Sequence, residues 1–176
     1  MSSRSFPRPC PSKPACCLAI AVFLAGCGGS ARSEHAALRR VEGPSYSFSA
    51  PVAWRVTRTV RAVTAASGGE LVSVTVFPLA RPYKPNLWPK LLPVLDGVAA
   101  QLARGVAGSV GAGETVVLAG RRARRYEIAF ERGGKDVVER IVFLLEGRRE
   151  YQLLCRYARG GGSEACSAFL ASFRPA

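Results

Sequence analysis

Six cysteines and one histidine are the side chains of this 176-residue sequence best suited to nucleophilic or metal chemistry. The histidine, His35, lies in a polar stretch without clear periodicity, where we expect a solvated residue. A serine or cysteine nucleophile needs an activating base, and the sequence contains no Gly-x-Ser-x-Gly motif. We therefore predict neither histidine-based catalysis nor a metal or cofactor site.

Acidic residues and a glycine-rich stretch offer no clearer catalytic pattern. Asp96 falls in a helical pattern, and Asp136 and Glu139 fall at a strand, so we interpret all three as solvated. The stretch 105–113 has no following Gly-Lys-Ser/Thr and is predicted to be a turn rather than a phosphate cradle. We therefore predict that the protein is not an enzyme. Perturbed acidic groups clustered in a cleft would argue otherwise.

Cys27 ends the sequence Leu24-Ala25-Gly26-Cys27, which follows directly on an apolar run begun at residue 15. Residues 1–14 carry three cations and no acid, and the apolar run is about half the ~20 residues that a spanning helix needs. The segment resembles a bacterial lipoprotein signal. That resemblance implies cleavage between Gly26 and Cys27, and a diacylglycerol (palmitate-type chains) on Cys27. An ordinary signal peptide or an uncleaved anchor is the alternative.

The sequence predicts three segments: a signal peptide at 1–26, the lipidated cysteine with a flexible tether at 27–43, and one domain at 44–176. The whole chain has 25 Lys+Arg against 12 Asp+Glu, a formal net charge of +13. Only three cations leave with the signal, so the mature chain keeps most of this excess. We expect an exported protein on the extracytoplasmic face of a membrane, held there by two acyl chains.

Alternating apolar residues and glycine turns predict an antiparallel sheet. Strands are expected at 46–49, 54–60, 70–77, 115–118, 123–131, 137–146 and 149–157. One helix is expected to begin near Pro93, because proline is disfavoured inside a helix, and another covers 163–173. Strands and helices in this order indicate an α+β fold, an antiparallel sheet flanked by helices.

Cys155 and Cys166 are predicted to form a disulfide. Cys155 shares a strand face with Tyr151 and Leu153, and Cys166 heads the apolar stripe of the last helix. The two thiols meet if that helix docks on that face, and an exported protein meets oxidising conditions. Two free buried cysteines or a two-ligand metal site are the alternatives.

Arg121, Arg122, Arg124 and Arg125 form the densest charge cluster. One interpretation is a basic patch for anionic lipid headgroups or cell-wall polyanions. The other is a solvated surface with cross-strand pairing of neighbouring arginines to Glu127 and Glu139. Nucleic acid is not expected as a partner outside the cell.

The order of several motifs resembles PsbP-like domains, including the LpqN-type lipoproteins of actinobacteria. The motifs are Tyr46-Ser-Phe-Ser-Ala-Pro-Val-Ala-Trp54, Val116-Val-Leu-Ala-Gly-Arg-Arg-Ala-Arg-Arg-Tyr126, Gly147-Arg-Arg-Glu-Tyr-Gln-Leu-Leu-Cys155 and Phe169-Leu-Ala-Ser-Phe173. The resemblance implies an α/β/α sandwich whose relatives mostly bind, chaperone or assemble partners without a shared catalytic site.

Two functions remain open from the sequence. The first is a non-enzymatic lipoprotein that binds an envelope protein, an anionic polymer or a lipid. The second is a small-ligand or lipid carrier with a pocket between sheet and helix, lined by residues such as Trp54, Trp88 and Tyr83. A large apolar cavity would favour the carrier, and a filled core with an exposed patch would favour the binding module.

Overall fold

The computed structural model describes residues 37–161 and 163–176. The predicted signal peptide, Cys27, His35 and most of the predicted tether lie outside the described residues. Every described residue belongs to one compact unit, His35–Ala176. Both hydrophobic cores lie in this unit, so it has what it needs to fold by itself.

Eleven strands, two α-helices and one 3-10 helix (Pro85–Leu87) are present in the described residues. The strands are β1 (Leu38–Gly43), β2 (Tyr46–Pro51), β3 (Arg55–Arg58), β4 (Ala62–Ser67), β5 (Glu70–Pro78), β6 (Ser109–Val110), β7 (Glu114–Leu118), β8 (Arg121–Arg132), β9 (Lys135–Glu146), β10 (Arg149–Ala158) and β11 (Arg174–Pro175). The α-helices are α1 (Trp88–Gly105) and α2 (Glu164–Ser172).

The strands form two antiparallel sheets. The larger has eight strands in the order β3-β4-β5-β10-β9-β8-β6, with β7 also paired to β8. The smaller has the order β1-β2-β11. Tight turns at positive φ join the long central strands, as at Gly147 (φ 55°) between β9 and β10. This arrangement confirms the predicted α+β fold with an antiparallel sheet and flanking helices.

A hydrophobic core lies on each face of the large sheet. One core packs the small sheet and α2 against it, with Tyr46, Phe48, Phe169 and Phe173 fully buried. The other packs α1 over β8 and β9, with Trp88 and Phe143 at its centre. Side chains of alternate residues enter opposite cores, as expected for strands covered on both faces.

The tether and domain boundary were predicted incorrectly. Residues 38–43 were assigned to the tether, but they form β1, which pairs with β2 from Leu38↔Pro51 to Gly43↔Tyr46. Only Val41 of this strand is buried, because β1 lies at the edge of the small sheet. The sequence of β1 therefore lacks the alternation that would have revealed it.

The predicted start of α1 at Pro93 was also wrong. The helix begins at Trp88, with Pro93 inside it. Proline at this position removes one hydrogen bond to the first helical turn. Burial of Trp88, which is 4% exposed, and packing of Leu91 and Leu92 on the same core offset that loss.

Candidate functional site

The predicted arginine patch lies at the start of β8, where alternate side chains take opposite faces of the sheet. Arg122 and Arg124 lie on the face covered by α1, and Arg121 and Arg125 lie on the other. The four guanidinium groups therefore do not form one continuous surface.

Three of the four arginines pair with carboxylates. Arg121 pairs with Glu146, and Arg125 pairs with Glu114. Arg124 donates to Asp96 Oδ1 at 3.0 Å. Neighbouring strands carry two further pairs, Arg140 with Glu127 at 2.7 Å and Arg156 with Glu139 at 2.5 Å. The cross-strand pairing predicted for Glu127 and Glu139 is confirmed, and the four-arginine patch is largely neutralised.

Asp96 holds α1 to β8 through two donors. The Tyr126 hydroxyl donates to Asp96 Oδ1 at 2.5 Å, and Arg124 donates to the same oxygen. The Tyr126 hydrogen bond, and then Arg124, keep the pKa of Asp96 below its ordinary value. Burial, and then the Asp96 carboxylate, raise the pKa of Tyr126 to about 12. A carboxylate stabilised in its charged form fits a structural role better than the role of a general acid, which must be protonated to donate.

Arg122 is the member of the patch without an ion pair among the described residues. Its guanidinium lies 5.6 Å from the centre of the Trp88 ring, within cation–π range. It also donates to the backbone carbonyl of Pro85 at 3.2 Å. These contacts leave its charge unneutralised and exposed at one end of the large sheet.

Cations outnumber acids most strongly at that end, which we name the basic end. It consists of the β3–β4 connection (58–61), segment 77–87 and the turns at 118–122 and 146–150, brought together by strand register. These segments hold two acids, Glu146 and Glu150, and eight cations: Arg58, Arg61, Arg81, Lys84, Arg121, Arg122, Arg148 and Arg149.

Two open clefts lie at the basic end. One, of about 400 Å³, is lined by Tyr83, Pro85, Arg121, Arg122 and Glu146, among others. The other, of about 250 Å³, is lined by Ser45, Val60, Arg61 and Arg149, among others. Both are surface recesses that expose guanidinium groups, and neither is the enclosed apolar cavity expected of a carrier.

The aromatic residues predicted to line a carrier pocket are not brought together. Trp54 belongs to the core beneath the small sheet, and Trp88 belongs to the core beneath α1, on the opposite face of the large sheet. Tyr83 packs against the second core and also lines the larger cleft. The predicted lining of the pocket was therefore wrong, because the large sheet lies between Trp54 and Trp88.

Cys155 and Cys166 do come together. Their sulfur atoms lie 2.18 Å apart, at disulfide-bonding distance, and join β10 to α2. Both residues are buried in the core beneath the small sheet. In the part of the chain that the structure describes, no three His, Cys, Asp or Glu residues group as metal ligands. No helix within these described ranges is long and apolar enough to cross a membrane.

Comparison with known proteins supports the fold. No family model and no curated relative matches the sequence. Cyanobacterial PsbP (CyanoP) from Synechocystis sp. PCC 6803 superposes with a TM-score of 0.60 at 14% identity, covering 87% of this chain and 99% of that one. The fold is therefore PsbP-like, as the motifs predicted.

Two further solved structures are similar over most of this chain. A protein from Bacteroides thetaiotaomicron has a TM-score of 0.59 at 10% identity, covering 78% of this chain and 48% of that one, so the chain spans about half its length. LpqN of Mycobacterium tuberculosis, described as involved in cell envelope biogenesis, has a TM-score of 0.48 at 16% identity, covering 81% and 92%.

The basic end was missed by sequence reasoning because its cations come from four separate segments. The densest run of arginines predicted a basic patch on β8, where three of the four arginines form ion pairs. Only the strand order places Arg61, Lys84 and Arg149 at the same end of the sheet. The signal available in the sequence was the repeated appearance of cations at strand ends.

Proposed function

We propose that this chain is an exported lipoprotein, anchored through Cys27, whose PsbP-like domain binds an envelope partner without catalysing a reaction. The observation that carries the anchor is Leu24-Ala25-Gly26-Cys27 at the end of a short apolar run with a basic start. Two acyl chains, each contributing ~0.8 kcal/mol per buried methylene, give stable attachment.

The filled cores support a binding module over a carrier. Large side chains fill the interior on both faces of the sheet, because none of Tyr46, Phe48, Phe143 and Phe169 is more than 2% exposed. The exposed, charged surface lies instead at the basic end. Binding through such a surface requires no interior cavity.

The arrangement of acids supports a role without catalysis. Hydrogen bonds from Tyr126 and Arg124 lower the pKa of Asp96. The same contacts hold α1 to the sheet. A general acid needs a raised pKa, in the opposite direction. Glu139, the buried acid of the described residues, is occupied by Arg156.

The decisive experiment is a Cys27→Ala exchange in the full chain expressed in a bacterium. We expect the parent protein to incorporate a radiolabelled fatty acid and to remain with membranes after high-salt washing. The Cys27→Ala protein should do neither. Cys16→Ala is the matched control, since Cys16 lies within the predicted signal and should not affect labelling. A Cys27→Ala protein that is still labelled with lipid would refute the anchor.

A further inference from the structure

The two ends of the large sheet differ in charge. The basic end holds eight cations and two acids, whereas the opposite end holds six cations and four acids. The residues at the opposite end are Arg39, Arg55, Arg104, Arg132, Lys135, Arg159, Glu70, Glu131, Asp136 and Glu164. The excess charge of the described residues is therefore directional. A directional excess steers one particular face toward an anionic partner.

The width of the basic end matches an extended partner. Its cations run from Arg58 on β3 to Arg122 on β8, across β4, β5, β10 and β9. Neighbouring strands lie about 4.8 Å apart, so five spacings cover roughly 24 Å. A single small anion cannot engage such a span, whereas an array of phosphate groups can. Arginine, which supplies most of these cations, matches phosphate oxygens with its planar fork.

Val60 distinguishes a lipid surface from a soluble polyanion. It is 95% exposed and stands between Arg58 and Arg61 in the β3–β4 connection. The connection is held in place, since Thr59 N donates to Ala62 O at 2.8 Å and Ala62 N donates to Thr59 Oγ1 at 3.0 Å. An apolar side chain displayed among cations gains nothing from a hydrated polymer, but it is buried when the surrounding cations rest on lipid headgroups.

The two clefts provide recesses for individual headgroups. Arg61 and Arg149 line the smaller cleft, beside Val60, and Arg122 lines the larger one. None of these three guanidinium groups is in an ion pair within the described part of the chain. Basic recesses of this kind bind phospholipid headgroups in other proteins.

We propose that the basic end docks on an anionic phospholipid surface, with Val60 inserted among the headgroups and Arg61, Lys84 and Arg149 contacting phosphates. The proposal rests on the proposed function in that the anchor at Cys27 keeps the domain beside a bilayer. The docked contact then determines which end of the domain faces the bilayer.

The chain is long enough for anchor and docked surface to meet the same bilayer. Leu38 begins β1 at the end away from the basic end, since Arg39 donates to the carbonyl of Trp54, just before β3. The six residues of β1 rise about 20 Å. A fully extended chain of the length of residues 28–37 spans at most roughly 33–36 Å. The anchor therefore reaches the bilayer while the basic end faces it.

The test uses the chain from residue 27 with Cys27→Ser, so that no acyl chain contributes, and measures co-sedimentation with vesicles. We expect binding to phosphatidylcholine–phosphatidylglycerol vesicles and none to phosphatidylcholine alone. The triple exchange Arg61→Ser, Lys84→Ser and Arg149→Ser should weaken binding about 10²-fold, from about 1 kcal/mol per cation. Val60→Ser should weaken it severalfold.

A matched control exchanges Arg55→Ser, Lys135→Ser and Arg159→Ser at the opposite end, which removes the same charge. If both triple variants lost the same amount of vesicle binding, net charge alone would explain the binding and the proposal would be overturned. Vesicle binding unaffected by Val60→Ser, together with tight binding of inorganic polyphosphate, would assign the surface to a soluble polyanion instead. No binding to anionic vesicles would also overturn it. None of these outcomes touches fatty-acid labelling of Cys27, which tests the anchor separately.

Discussion

Glu139 and Arg156 face each other across strands β9 and β10, and Glu139 Oε1 accepts hydrogen bonds from Arg156 Nε at 2.8 Å and Nη2 at 2.5 Å. The Glu139 residue is 6% exposed. A charge pair this well buried is costly to split, because the remaining ion loses both its water and its partner.

Breaking this pair should destabilise the fold more than removing it. Glu139→Leu leaves a mostly buried Arg156 charge and should lower the free energy of unfolding by about 3 kcal/mol. Combining it with Arg156→Leu should recover most of the loss, since no unpaired charge remains. Urea unfolding of the two single variants and the double variant measures this. A double variant as unstable as the sum of the single losses would contradict it.

The Cys155–Cys166 link should contribute measurably to stability. It closes a loop with a sequence separation of 11 residues, for which loop-closure entropy gives about 3 kcal/mol. Non-reducing mass spectrometry after alkylation should find no free thiol among these two cysteines, and reduction should lower the unfolding free energy by about that amount. The Cys155→Ala/Cys166→Ala variant should then be insensitive to reductant. Two alkylatable thiols in the unreduced protein would end the idea.

Local patterns predicted the parts of the fold that depend on near neighbours in sequence. Strands β8 and β10 alternate over most of their length, and glycine turns bound the apolar strand β9 between them, so their antiparallel order could be deduced. The approach of Cys155 to Cys166 followed from strand parity and helix periodicity. In both cases the information lies in elements that follow one another directly along the chain.

Features that depend on distant pairing could not be predicted in this way. Edge strand β1 buries little besides Val41 and is stabilised by β2 and by what β2 packs on. The position of Pro93 within α1 depends on the core that Trp88 enters. The basic end exists only because β4, β5 and β10 are neighbours in the sheet. Sequence spacing contains none of these relationships.

The Asp96 carboxylate should make stability depend on acidic pH. Its pKa is lowered in the folded state, so its contribution is present above the unfolded-state pKa of about 3.9 and is lost as pH falls through the folded-state pKa. Its side chain is 48% exposed, so solvent screening limits the cost of Asp96→Asn to about 1 kcal/mol at pH 7.

Urea unfolding of the parent and the Asp96→Asn variant at neutral pH and at about pH 3 tests this linkage. The difference between the two proteins should be present at neutral pH and shrink in acid. Asp136→Asn is a suitable control, because Asp136 is exposed and makes no ion pair among the described residues. A difference that stays constant across this range would show that Asp96 acts by shape rather than by charge.

The turn between β1 and β2 provides a test of packing beneath the small sheet. A Cβ at Gly43 would lie 2.3 Å from Tyr46 Cζ and 2.5 Å from Cε2. The ring of Tyr46 cannot yield easily, because Tyr46 is 2% exposed, stacks near Phe48 and Phe173, and donates its hydroxyl to the carbonyl of Val74 at 3.1 Å.

Gly43→Ala should therefore lower the free energy of unfolding by about 1–3 kcal/mol, the usual cost of forcing extra volume into a packed site. Gly69→Ala is the matched control, because a Cβ there meets no atom within 4 Å and its φ is not positive. That exchange should leave stability unchanged or raise it by a few tenths of a kcal/mol through the unfolded state. Thermal and urea unfolding of both variants give the comparison. Equal stability of the two would mean that the Tyr46 ring moves freely, contrary to its packing.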